Sequence, residues 1–138
     1  MNDRFKFRIF LKAHNQMCNV HTLHTGTNKV IISTRYGNSS VQINDYNILM
    51  QSTGLKDKNG NLIYEGDILK IFHVSSTGQG RLDIRYVVYD EDKARFIFCE
   101  NGYMSYITVD TDDVCEVIGN IYENLELLEV SEWQKEKK

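Results

Sequence analysis

The chain has 138 residues, of which 41% are hydrophobic and 11% aromatic, enough to bury one respectable core but hardly two independent ones. Its net charge of −3 disfavours a dedicated duplex-DNA binder, because such proteins present a strongly basic face to the phosphates. The sequence opens on the alternating "RFKFRIFLK" and contains no apolar run long enough for a membrane helix. We therefore expect a soluble, cytoplasmic protein without membrane contact.

The first strand is predicted in "FKFRIFLK", where apolar and basic residues alternate and only Phe10 breaks the pattern. Its basic residues are interpreted as a solvent-facing side. Short β-rich stretches follow between turn residues: "NVHTLHT", "KVIISTRY" and "SSVQI". The stretch "NDYNILMQS" fits a short helix or a strand, and the Gly54 break that follows favours a strand. Residues 1–52 are thus predicted to be an N-terminal β-rich lobe packed on the rest.

The central stretch "TGLKDKNGNLIYEGDIL" is dense in turn-forming residues. The chain has no proline, so its turns depend on Gly, Asn, Asp and Ser. Asn59 and Gly60 are the preferred pair for a two-residue hairpin turn with positive φ at both positions. Gly54 and Gly66 permit two further chain reversals. These four residues are predicted to have a structural role in turns.

Five strands are predicted after the central stretch, in "DILKIFHV", "GRLDIRYVVYD", "ARFIFCE", "GYMSYITV" and "DVCEVIGNIY". Their spacing of about a dozen residues suggests a small barrel or sandwich. In the second strand, Leu82 and Ile84 begin one face while Asp83 and Arg85 begin the other, which predicts a core face and a partly wet face. "ENLELLEV" predicts a short C-terminal helix, with Asn124 as its N-cap. Residues 131–138 are predicted to be a charged tail.

Catalytic and metal-binding patterns are weak in this sequence. Cys18, Cys99 and Cys115 lack the spacing of a disulfide framework, so we expect reduced thiols. Cys18 begins a C-x2-H-x2-H run with His21 and His24, but on a strand these two histidines would point to opposite faces. No nucleophile elbow, phosphate-binding loop or dinucleotide fingerprint occurs. The sequence predicts no catalytic residue, no metal site and no cofactor.

Three blocks in chain order carry a family resemblance: "FKFRIFLKAHNQM", "MQSTGLKDKNGNLIYEGDILK" and "EVIGNIYENLELLE". Together they resemble the YopX family of phage and prophage proteins over nearly the whole chain. Two departures occur: the family's usual "FRAWD" corresponds here to the five residues from Phe7 to Leu11, and Leu125 replaces the proline of its usual "ENPELL". The resemblance implies a mainly β fold, with a small SH3-like β-barrel over residues 53–130, and a phage or prophage origin. It implies no established activity.

The predicted function is that of a phage or prophage accessory protein, a non-enzymatic protein-interaction module. Its partner would be a phage protein, a host protein or a second copy of itself in a homo-oligomer. The candidate partner-binding residues are those whose polarity turn chemistry explains only in part: Lys56, Asp57, Lys58, Tyr64, Glu65, Asp67, Asn120, Tyr122 and Glu123. Tyrosines that could contact a partner are Tyr36, Tyr64, Tyr89, Tyr103, Tyr106 and Tyr122.

The alternative is a nucleic-acid-binding accessory protein that uses the surface of an SH3-like barrel. Bases would stack on tyrosines beside basic side chains of the second half: Arg81, Arg85, Lys93 and Arg95. Salt separates the two hypotheses, because nucleic-acid binding weakens steeply with ionic strength and an apolar protein interface does not.

Overall fold

A computed structural model describes residues 3–100, 103–108 and 114–128. The chain divides into two compact units, Met1–Ser52 and Thr53–Lys138. The described residues are mainly β, with two antiparallel sheets and a short helix near the C-terminus, which confirms the predicted fold class at this level. Within them, no helix is long and apolar enough to cross a membrane.

The first unit is built from strands that are antiparallel to their neighbours. These strands are β1 (Phe7–Leu11), β2 (Gln16–His24), β3 (Lys29–Thr34), β4 (Gly37–Gln42) and β5 (Asn47–Lys56). Their order in the sheet is β4-β3-β2-β1-β5, and β5 continues into the second unit. The ambiguous stretch "NDYNILMQS" therefore resolves as a strand, because pairing with β1 satisfies its backbone from Asn47 to Gln51.

The core of the first unit lies on one face of this sheet. Its buried side chains are Ile9, Leu11, Val30 and Ile32. The opposite face of β1 is also covered, because Phe10 is only 4% exposed. Arg8, on that face, is half-buried. Phe10 thus breaks the sequence alternation because both faces of β1 are packed, and the solvent-facing interpretation of the basic residues is wrong for Arg8.

The second unit contains all five strands predicted for it, together with a three-residue strand that is too short to show a sequence period. These strands are β6 (Leu62–Tyr64), β7 (Asp67–Val74), β8 (Gly80–Asp90), β9 (Arg95–Glu100), β10 (Tyr103–Thr108) and β11 (Val114–Asn120). The second sheet has the order β10-β9-β8-β7-β11, and β6 is the neighbour of β5. Among the residues that are described, no pairing joins the two ends of this sheet into a closed barrel.

The C-terminal part contains the predicted short helix, at residues 126–128. Asn124 does not cap it with its side chain. Its Oδ1 instead accepts the N–H of Asn120 at 3.2 Å, which ties the turn after β11 to the end of that strand. The predicted tail, residues 131–138, lies outside the described residues.

The core of the second unit includes a pair of charged residues. It contains Leu69 and Ile71, and the residues opposite them on β8 are Arg85 and Asp83. Both charged side chains are buried, with Arg85 Nη2 placed 3.3 Å from Asp83 Oδ2, whereas Leu82 on the other face of β8 is 54% exposed. The sequence-based face assignment for β8 is therefore wrong, because an internal ion pair allows two polar residues on the core side.

Candidate functional site

The central loop is organised by one carboxylate, Asp57, which is buried. Its Oδ1 accepts the N–H groups of Asn59 and Asn61, both at 2.9 Å. Its Oδ2 accepts the N–H of Val117 at 3.0 Å. Burial opposes ionisation, but these N–H donors hold the pKa of Asp57 below its ordinary value. Asp57 therefore shapes its own turn and fastens that turn to β11.

The turn after Asp57 differs from the predicted two-residue hairpin. Gly60 has φ of 83°, but Asn59 is not among the residues with positive φ. The Gly60 N–H donates to Asp57 O at 3.0 Å, and the Asp57 N–H donates to Asn61 O at 2.8 Å. The loop therefore has three residues with one left-handed position. The predicted positive φ at Asn59 is wrong, because the Asp57 side chain stabilises this longer turn.

The reversal between β6 and β7 depends on Gly66 and Asp67. Gly66 has φ of 80°, its N–H donates to Val87 O at 2.8 Å, and its carbonyl accepts the Ile121 N–H at 2.9 Å. Asp67 is 1% exposed, and its Oδ2 accepts the Tyr64 N–H at 2.8 Å. Both residues are therefore held inside the second unit.

The turn after β11 is organised by Asn120. Its Oδ1 accepts the N–H groups of Tyr122 and Glu123 at 3.0 and 2.9 Å, and its Nδ2 donates to Glu123 Oε1 at 3.0 Å. Asn120 is the register partner of Asp67 at the start of β7. The candidate partner-binding residues fall in three segments, 56–58, 64–67 and 120–123, and this pairing together with the contacts of Asp57 and Gly66 brings them close to β11.

The predicted partner-binding residues thus divide into two groups. Asp57, Asp67 and Asn120 have their side chains occupied inside the fold. The other members are exposed or half-buried: Lys56, Lys58, Tyr64, Glu65, Tyr122 and Glu123. One of these exposed charges forms a surface ion pair, with Lys58 Nζ 3.2 Å from Glu116 Oε2. Gly54 has φ of 83°, but the predicted chain reversal at this residue is wrong, because β5 pairs with its neighbours and continues through Gly54 to Lys56.

A different site, which sequence reasoning missed, is a cleft of about 920 Å³ in the first unit. Its floor consists of Leu11, Cys18, Ile32 and Val41. Burial raises the pKa of the Cys18 thiol, which keeps this group neutral at neutral pH. The volume lies in the range of ordinary ligand and peptide sites, about 300–1,000 Å³. The cleft is therefore large enough to hold a ligand or a peptide segment.

The rim of the cleft is basic and aromatic. Arg35 and Tyr36, in the turn between β3 and β4, both line it. The Arg35 guanidinium lies 4.9 Å from the centre of the Tyr36 ring, and Tyr36 is 86% exposed. No acidic side chain of the described chain forms an ion pair with Arg35. The only sequence signal for this rim was Tyr36, one of six tyrosines with no feature to rank them.

Charge is divided unequally between the two units. Residues 1–52 carry six lysines and arginines against two aspartates, a net charge of +4. Residues 53–138 carry ten bases against seventeen acids, a net charge of −7. The cleft therefore belongs to the basic unit.

The basic residues that the nucleic-acid hypothesis uses are not all exposed in the described part of the chain. Arg85 is buried, and Arg95 Nε lies 3.4 Å from Asp90 Oδ2. Lys93 is exposed. The side chain of Arg81 lies outside what is described, as do those of Tyr103 and Tyr106.

The possible zinc motif does not form a group of metal ligands among the described residues. The His21 ring nitrogen Nε2 hydrogen-bonds to Ser33 Oγ, while Cys18 lines the cleft. The described residues contain no group of three or more His, Cys, Asp or Glu placed to hold a metal ion.

Comparisons with known proteins identify the family. The model of the family described as YopX protein matches residues 6–129. The chain is also similar to protein EF1440 from Enterococcus faecalis, whose crystal structure matches with 30% identity and a TM-score of 0.55, covering 89% of this chain and 96% of that one. A search of curated proteins found no match. On the extent of the family match, this chain belongs to the YopX family.

Proposed function

We propose that this protein is a phage or prophage accessory protein of the host cytoplasm that acts as a non-enzymatic protein-interaction module. The observation that carries the proposal is the cleft of the first unit, with its apolar floor and its exposed Arg35 and Tyr36. Arginine and tyrosine are enriched where partners bury surface, and an apolar floor supplies the desolvated centre of an interface.

Exposed apolar side chains of the second unit support the same function. Phe72 and Leu82 are register partners on β7 and β8, and they are 44% and 54% exposed. Val74, near the tip of this hairpin, is also exposed. Such side chains gain free energy when a protein surface covers them. The partner is a phage protein, a host protein or a second copy of this chain.

For the second unit, we propose the finer fold description of an SH3-like barrel. Support comes from the free side of β11, where the Lys58 N–H donates to Cys115 O at 2.9 Å. Because β7 pairs with the other side of β11, the loop at residues 57–58 extends the sheet beyond its last strand. An experimental structure in which strands close the sheet around β11 would support this description, and an open sheet would contradict it.

Nucleic acid remains the second candidate partner, because the first unit carries a net charge of +4. A positively charged surface attracts phosphates, and this attraction weakens steeply as salt rises. The salt dependence of partner retention therefore separates the two functions.

The test is purification of the tagged full chain from host cells that carry the active phage, with half of each sample treated with nuclease. Both halves are washed from 0.1 to 1 M salt, over which the Debye length falls from about 10 to 3 Å. A double variant, Arg35→Glu with Tyr36→Ala, changes the rim of the cleft. Its matched control is Lys29→Glu with Tyr46→Ala, since both of these side chains are exposed in the same unit and neither lines the cleft.

The proposal predicts a defined protein that survives nuclease and high salt, is kept by the control, and is lost by the rim variant. Partners that disappear on nuclease treatment would replace the proposal with the nucleic-acid function. Equal retention by both double variants would show that the cleft does not carry the interaction.

A further inference from the structure

The strand β4 ends the first sheet beside the cleft, so one of its sides has no strand neighbour in the described chain. Its sequence, "GNSSVQ", contains no charged residue and no proline. Natural edge strands commonly use charge, proline or bulges to prevent further pairing. The register of β4 with β3 is continuous from Gly37 to Gln42, so β4 contains no bulge either. The β4 edge therefore lacks all three of these features.

The direction of the β4 backbone groups follows from one hydrogen bond. The Ile43 N–H donates to Asn28 O, across to the β3 side, at 2.8 Å. Because N–H and C=O groups alternate in direction along a strand, those of Ser39 and Val41 also point to β3. The groups of Asn38 and Ser40 therefore point away, to the open side.

The side chains of β4 alternate in the complementary way. Ser39 and Val41 line the cleft, whereas Asn38 and Ser40 do not. A strand added beside β4 would bond to the outward groups of Asn38 and Ser40. Its alternate side chains would lie on the face that contains the cleft, next to the floor residues Val41 and Ile32.

The charge of the first unit indicates which kind of peptide segment could add beside β4. The first unit carries a net charge of +4, and no acidic side chain of the described chain forms an ion pair with Arg35. Arg35 keeps its donors available for a carboxylate, which it can bind through two parallel N–H groups.

We propose that β4 binds an extended acidic segment of a partner protein, which adds to the sheet as a further strand and places its alternate apolar side chains in the cleft. This inference rests on the proposed function, because it names the partner chemistry of the same cleft. Main-chain hydrogen bonds to β4 provide affinity, and the cleft and Arg35 provide selectivity.

The probe is a random peptide library selected against the immobilised full chain, followed by affinity measurements on the selected peptides. Ser40→Pro removes the outward N–H while leaving the bonds to β3, and proline is tolerated on edge strands. Its matched control, Ser40→Ala, keeps that N–H. Arg35→Glu reverses the rim charge, and Lys29→Glu is its control because Lys29 is exposed but does not line the cleft.

We expect selected peptides that are rich in Asp and Glu alternating with apolar residues. Ser40→Pro and Arg35→Glu should each weaken their binding about tenfold or more, which corresponds to roughly 1.4 kcal/mol. Ser40→Ala and Lys29→Glu should bind like the wild type. Because Arg35→Glu leaves the β3–β4 backbone bonds untouched, it tests the site even if Ser40→Pro perturbs the strand, which circular dichroism would reveal.

Peptides that bind Ser40→Pro and Arg35→Glu as tightly as the wild type would overturn the site. Selection of basic or uncharged peptides, or of none, would overturn the acidic partner. Neither result removes the proposed function if a nuclease-resistant protein is still captured from cells. Conversely, the proposed function fails on its own if the cell purification yields only nucleic-acid-dependent partners.

Discussion

Asp57 illustrates how a polar residue that looks available for binding is used inside the fold. Its carboxylate accepts three backbone N–H groups, two from its own loop and one from Val117 on β11. A buried N–H group costs about 1–3 kcal/mol when it loses its acceptor, whereas the N–H groups of the exposed residues Asn59 and Asn61 can donate to water instead. The charged side chain of Asp57 therefore stabilises the fold of this loop and its attachment to β11.

Replacing Asp57 tests this role. Asp57→Ala should lower the free energy of unfolding by about 2–3 kcal/mol, because three N–H groups lose a charged acceptor. Urea denaturation measures the change. Lys58→Ala is the control, since it removes only the exposed ion pair with Glu116 and should cost less than about 1 kcal/mol. Equal effects of the two substitutions would contradict the role of Asp57.

The contribution of Asp57 to the free energy of unfolding depends on pH in a direction that its pKa determines. Its pKa is lower in the folded state, so the unfolded chain binds the proton more readily. The contribution is fully present above the ordinary aspartate pKa of about 3.9 and is lost as the pH falls through the lowered folded value. The stability difference between wild type and Asp57→Ala should therefore shrink below about pH 4. A difference that stays constant down to strong acid would contradict this assignment.

Gly66 has a backbone conformation that favours glycine. Its φ of 80° is in the left-handed region, which β-branched residues avoid. Gly66→Val should destabilise the protein by about 1–3 kcal/mol through backbone strain. The control is Gly26→Val, because Gly26 lies outside the left-handed region and a Cβ added there would meet no atom within 4 Å. Thermal unfolding compares the two variants, and a wild-type melting temperature for Gly66→Val would refute the explanation.

Among the elements, β11 depends on the turn that follows it. Its register with β7 shifts between Val117 and Gly119, and the Asn124 amide packs directly on Gly119. A Cβ at Gly119 would lie 2.5 Å from Asn124 Oδ1, the atom that accepts the Asn120 N–H. The end of this strand therefore requires a residue without a side chain.

Gly119→Ala should displace the Asn124 amide and destabilise the protein by about 1–3 kcal/mol. A double-mutant cycle with Asn124→Ala tests whether the contact between Gly119 and the Asn124 amide causes this loss of stability. Both changes disrupt that contact, so their effects on the free energy of unfolding should not add. Full additivity would show that Gly119 acts through something other than Asn124.

At the scale of the whole molecule, the two units have separate clusters of buried residues, whereas length and composition predicted a single core. Ile32 belongs to the cluster of the first unit and Ile71 to that of the second, and each side chain is 2% exposed. The units also differ in charge, +4 against −7. Independent clusters of buried side chains commonly open as separate cooperative units.

Matched substitutions test this division. Ile32→Val and Ile71→Val should each cost about 0.5–1.5 kcal/mol, because each removes one buried methyl group. Hydrogen exchange followed by mass spectrometry should accelerate within residues 3–52 for the first variant and within residues 53–128 for the second. Uniform acceleration along the chain in both variants would indicate a single cooperative unit.

Local patterns in the sequence determined the secondary structure and the family. Alternation and β-branched residues identified the strands of both units, and "EGDILK" and "ENLELLE" belong to blocks that carry the family resemblance. Gly60 and Gly66 both have positive φ in turns, as turn chemistry predicted, because glycine adopts this conformation with little strain. These features depend on residues close together in the chain, so the sequence contains the information directly.

Only the tertiary structure decided which polar residues face inward and where the concave surface lies. Asp83 and Arg85 lie on the core side of β8, where they pair with each other, and the buried Asp57 accepts the N–H of Val117, sixty residues away. The cleft combines β1, β2, β3 and β4, whose side chains become neighbours only through strand pairing. Burial and concavity depend on contacts between distant residues, and no local pattern encodes those contacts.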